Sequence, residues 1–113
     1  VELSLSSWLF SPGDTFKLDM LLHNPDSEPS LNQVVVLCLD VYGEYFWYPS
    51  WQVDFDFQYF DISQGTEAIE VLNFVWPEIN SSGSGANFHG AILNPELNAI
   101  IGEWDTVSFS WTP

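Results

Sequence analysis

The 113-residue chain fits one domain with a single buried core. Apolar residues make up 46% and aromatics 17%, which excludes a disordered acidic tail, because such tails lack the ring mass needed to bury a core. Sixteen carboxylates face one basic residue, Lys17, for a net charge of −15, which excludes nucleic-acid binding: there is no cationic surface to displace counterions from phosphates.

No segment carries a sustained 3.6-residue apolar period, and turn residues recur at short intervals, so strands are predicted throughout. Residues 2–10 are the first. Ser11-Pro12-Gly13-Asp14 turns the chain into a second over 15–23, where Phe16, Leu18, Met20 and Leu22 alternate with Thr15, Lys17, Asp19 and Leu21. Asn24-Pro25-Asp26 closes it. Residues 33–42 form an almost continuous apolar run, as in a central strand covered on both faces. Its Cys38 reads as a small buried hydrophobe and, as the sole cysteine, has no disulfide partner within the chain.

Tyr42-Gly43 and Tyr48-Pro49-Ser50 are turn signals on either side of an aromatic stretch. Residues 52–60 alternate again, with Val53, Phe55, Phe57 and Tyr59 on one face and Asp54, Asp56, Gln58 and Phe60 on the other. Residues 66–76 set Ile69, Val71 and Val75 against Leu72, Phe74 and Trp76. After the flexible tract Asn80 to Gly85, strands over 86–93 and 104–112 complete the domain, the last with Val107, Phe109 and Trp111 on one side. The pattern predicts an all-β fold: an immunoglobulin-like two-sheet antiparallel sandwich of seven to eight strands, with 1–113 as a single domain.

The opening Ser11-Pro12-Gly13-Asp14-Thr15-Phe16 followed by Asn24-Pro25 resembles the first hairpin of bacterial extracellular immunoglobulin-like modules, including adhesion-related domains of large secreted or surface proteins. The segment Leu39 to Trp51, the Ile101-Gly102-Glu103-Trp104-Asp105 run and Phe109-Ser110-Trp111 fit the same resemblance. It implies a fold and an extracellular or cell-surface location, and it carries over no catalytic residue. A secreted chain without an internal disulfide fits a bacterial surface protein better than a eukaryotic one. No apolar run is long enough to cross a bilayer, so no membrane insertion is expected. The absence of an initiator Met and of a leader leads to the expectation of an excised domain or processed product.

No nucleophile elbow, His-Glu-x-x-His, phosphate loop or dinucleotide fingerprint is present, and His23 and His89 lie near turns without a local nucleophile. Carboxylate pairs abound, but a sandwich of this length leaves little room for a glycosidase cleft between them. The expectation is therefore a protein that is not an enzyme. Tyr45-Phe46-Trp47-Tyr48-Pro49-Ser50-Trp51 holds five aromatic rings in seven residues. Side chains alternate in a strand, so at least two of Tyr45, Phe46, Trp47, Tyr48 and Trp51 are expected outside the core. They are the expected contact surface for a protein neighbour, another copy or an adjacent domain.

The rival expectation is a carbohydrate-binding module that stacks a glycan on Trp47 and Trp51, possible calcium assistance included. The candidate calcium ligands are Asp54, Asp56 and Asp61, with Asp40 and Glu44 nearby; the plainer alternative is a solvated strand face. Lys17 is expected to pair with Asp19 or Asp14, in preference to forming an internal isopeptide bond. Together these features describe a non-catalytic extracellular structural or adhesive module.

Overall fold

The computed structural model describes all 113 residues and contains nine strands and no helix. They are β1 (Glu2–Leu5), β2 (Leu9–Phe10), β3 (Thr15–Asn24), β4 (Ser30–Val41), β5 (Glu44–Trp47), β6 (Gln58–Ile62), β7 (Gly65–Val75), β8 (Gly83–Leu93) and β9 (Ile100–Trp111). Two sheets pack together. One has the order β1-β3-β7; the other has the order β2-β9-β8-β4-β5, and β6 joins it on β4. β4 is twelve residues long, enough to pair β6 along its first half and β5 along its second, while its other edge pairs β8. All pairs are antiparallel except β2 with β9, which is parallel.

The core follows from alternation. In β3, Phe16, Leu18, Met20 and Leu22 are almost fully buried while Thr15 and Lys17 face water. Facing them from the second sheet are Phe10 of β2, Val35 and Leu37 of β4, Ala86 and Phe88 of β8 and Phe109 of β9. Nine rings form one connected aromatic network that runs from the interior of the sandwich to the exposed Phe74 at its rim: Phe10, Phe16, Tyr48, Trp51, Phe74, Trp76, Phe88, Phe109 and Trp111. Each such pair adds about 0.5–1.5 kcal/mol beyond its buried area. The indole nitrogens of Trp76 and Trp111 are buried without a hydrogen-bond partner, a cost the apolar packing offsets.

Two predicted strands differ in the structure. Residues 2–10 are not continuous. Ser6 N–H donates to Lys17 O in the first sheet, and Ser110 N–H donates to Trp8 O in the second, so the chain crosses between sheets at 6–8 and leaves Trp8 exposed. The cross-over is tied by Leu3 N–H, which donates to the Asp105 carboxylate at 2.7 Å.

Residues 52–57 are not strand. Pro49 lacks a donor, Trp51 sits at φ 56°, and Trp51 N–H donates back to Trp47 O. The Asp56 carboxylate takes the backbone N–H groups of Ser50 and Phe57, which replaces a ladder with local bonds. Pairing resumes only at Gln58. Lys17 lies 3.3 Å from Asp19, an exposed ion pair of small value.

Candidate functional site

The β4–β5 hairpin decides which aromatic rings leave the core. Tyr42 and Gly43 both have positive φ, 49° and 82°, the geometry of a two-residue loop whose twist matches paired strands. It sets Cys38 opposite Trp47, Leu39 opposite Phe46 and Asp40 opposite Tyr45. Leu39 packs on the core, so Phe46 takes the inner side and is half-buried, whereas Tyr45 and Trp47 share the outer face with Asp40 and Cys38. Beyond Pro49 the chain turns back, and Tyr48 and Trp51 pack onto the core. Burial pushes the Tyr48 hydroxyl pKa up.

Trp47 and Trp51 therefore point to opposite sides of one sheet, and the sugar platform expected of that pair does not form. The anticipated calcium ligands do not gather either: no three His, Cys, Asp or Glu side chains come close enough to share a metal ion. Asp56 is engaged by Ser50 and Phe57, and those hydrogen bonds, Ser50's side chain foremost, hold its carboxyl below the usual range. Asp61 accepts from Asn32 N–H at 2.8 Å. Asp54 is exposed on the irregular segment.

On the outer face a second aromatic network forms, separate from the core. Tyr45 stacks near Trp47, Trp47 meets Phe55 edge to face at 5.0 Å, and Phe57 links Phe55 to Tyr59. No ring of this set pairs with a core ring. Beneath it, Val34, Cys38 and Ala91 are buried, yet they lie outside the core cluster. Cys38 and Ala91 lie on the floor of a groove of about 560 Å³, walled by Tyr45, Trp47 and Phe55 on one side and by Ile100 and Trp104 on the other. β5 and β9 are separated by β4 and β8, so their backbones stand about 14 Å apart. Nine of the twelve lining residues are hydrophobic, and the volume suits one small ligand or one large side chain.

The groove has a polar end. Cross-strand register places Trp47, Cys38, His89 and Thr106 in one row. His89 Nε2 lies 3.3 Å from Asp40 Oδ2, and its Nδ1 lies 2.8 Å from Thr106 Oγ1. With neutral imidazole, Nε2–H donates to Asp40 and the Thr106 hydroxyl donates to Nδ1. These two bonds fix the orientation of the ring. The Cys38 thiol pKa is pushed up to about 11, by burial first and by Asp40 second, so it stays protonated and unreactive.

Composition and periodicity did not single out His89, Phe55 or Trp104 as site residues. The signal available was β4 itself: Val34, Val36, Cys38 and Asp40 occupy alternate positions, and the last carries charge into a doubly covered strand. No protein-family model matches the chain, and no curated protein sequence matches it.

Proposed function

We propose that the chain is a non-catalytic binding module of immunoglobulin-like topology, acting outside the cell or at its surface, that grips a protein neighbour through the outer face of its larger sheet. The strand order supports the topology. β1-β3-β7 packs against β2-β9-β8-β4-β5 with β6 added on β4, and the first strand is divided between the sheets, an order compatible with such sandwiches. The lack of an internal disulfide supports a bacterial surface setting.

The observation that carries the binding assignment is the second aromatic network. Tyr45, Trp47, Phe55, Phe57 and Tyr59 contribute nothing to the core cluster, and with Trp104 they present a contiguous apolar face to water. Faces of this kind mark contact surfaces, and Trp and Tyr are their usual anchors. A glycan is served less well. Nine of the twelve lining residues are hydrophobic, and Asp40, with one oxygen already taken by His89, leaves too few polar groups for the several hydroxyls of a sugar.

The test uses a neutral apolar dye, Nile red, with the wild type and with a Trp47→Ala/Trp104→Ala double variant. The wild type should enhance the dye's fluorescence, and the variant should lose that enhancement while still unfolding in a single cooperative transition, its melting temperature lowered by only several degrees. Equal enhancement by both proteins would remove this face from consideration. Glycan-array binding abolished by the same variant would move the assignment to carbohydrate.

A further inference from the structure

The groove changes character along its length. Following β4 from Val36 to Asp40, the outer face passes from Val36 and Ala91, through Cys38 and His89, to the Asp40 carboxylate. That path is about 13 Å long. The apolar stretch is flanked by Trp47 and Trp104, and the carboxylate has Tyr45 directly opposite across the strand pair. An occupant that satisfies both ends has an aliphatic stem and a cationic head. Lys and Arg side chains are built this way: their stems lie along apolar surface while their heads seek charge. A cation over the faces of Tyr and Trp gains further attraction from the ring quadrupoles.

The charge of the chain selects the same occupant. With sixteen carboxylates and a single Lys, the surface draws in basic partners and repels acidic ones. A second copy of the chain would bring −15 against −15, which disfavours self-docking on this face. Lys17 lies on the other sheet, already beside Asp19, and cannot fill the groove from within.

We propose that this groove receives a Lys or Arg side chain from a basic protein partner, with the stem on Val36 and Ala91 between Trp47 and Trp104 and the cation at Asp40 beneath Tyr45. Asp40 keeps one oxygen for His89 and offers the other to the incoming cation. This deepens the contact-face assignment above and rests on it.

Acetyl-arginine methylamide, acetyl-lysine methylamide and acetyl-norleucine methylamide serve as probes. They are read by the indole N–H signals of Trp47 and Trp104 in nitrogen–proton correlation spectra. The Arg and Lys probes should shift both signals saturably and bind about threefold or more tighter than norleucine. Asp40→Asn keeps an acceptor for His89 and should erase that preference without lowering the melting temperature. Tyr45→Leu should reduce it while leaving the carboxylate in place.

Equal binding of norleucine and arginine would overturn the cationic occupant while leaving the apolar contact face standing. Saturable binding with an unchanged preference in Asp40→Asn would overturn it too. No shift with any probe would overturn it, and the Nile red result would then decide the contact face by itself. Concentration-dependent broadening of the two indole signals without any probe would give the groove to a second copy and overturn the proposal as well.

Discussion

Trp47 and Trp51, four residues apart, face opposite sides of the same sheet: Trp47 meets Phe55 edge to face at 5.0 Å on the outside, and Trp51 meets Phe88 edge to face at 6.1 Å on the inside. The division comes from the turn between them. Trp51 lies in the left-handed backbone region and returns its N–H to Trp47 O, which reverses the chain and drives its indole back onto the core.

Alanine at these two positions should therefore give opposite results. Trp51→Ala removes a ring that packs on the core and should cost about 2–4 kcal/mol of folding stability. Trp47→Ala gives up chiefly its Phe55 contact and should cost about 1 kcal/mol. Urea denaturation of both variants checks the order, and a larger loss for Trp47 would place the outer network within the core.

The Trp111 indole lies directly over Gly83, where a Cβ would overlap the ring. Trp111 is held by Trp76 and Phe109, so it has little freedom to yield. Gly83→Ala should destabilise the domain by about 1–3 kcal/mol. At Gly85 a Cβ would meet open space, and only the positive φ of 73° opposes it. Gly85→Ala should cost about 1 kcal/mol or less, a difference that thermal unfolding of the pair will reveal.

Added salt should raise the melting temperature. The chain carries −15 with one Lys, so folding gathers like charges that salt then screens over about 10 Å at 0.1 M. A melting temperature that falls or stays flat as sodium chloride is added would contradict the prevalence of repulsion.

Cys38 sets an alkaline limit. Its thiol ordinarily titrates near 9.0 and in the folded chain near 11, because burial disfavours the thiolate. Above about pH 9 the unfolded chain releases this proton while the folded chain retains it. The stability Cys38 contributes is therefore complete below pH 9 and declines as pH rises towards about 11. Burial raises the Tyr48 hydroxyl as well, so the comparison is with Cys38→Ala. The wild type should lose stability more steeply than the variant between these limits, and parallel curves would show a thiol open to water.

Local sequence carried much of the fold. Alternation in Phe16, Leu18, Met20 and Leu22 marked a half-buried strand, and the apolar run from Val34 to Leu39 marked a central one; both are found. The same alternation misled over 52–57. There Pro49, the left-handed Trp51 and the acceptor Asp56 hold the backbone in local bonds, so the period-two pattern meets β5 only at the single Gln52–Trp47 bridge.

The aromatic segment was legible as an excess of rings that one strand face cannot hold, and Tyr45 and Trp47 do stand outside. Which rings stand outside depends on the register set by Tyr42-Gly43, a property of the pair of strands and not of either alone. Asp40, His89, Phe55 and Trp104 come from separate parts of the chain and meet only because β5, β4, β8 and β9 lie side by side. Composition by itself determined the strongly anionic surface and the aromatic surplus, because those are sums over residues. Only the tertiary structure decided where the surplus sits and which carboxylate it surrounds, because cross-strand register depends on contacts between residues distant in sequence.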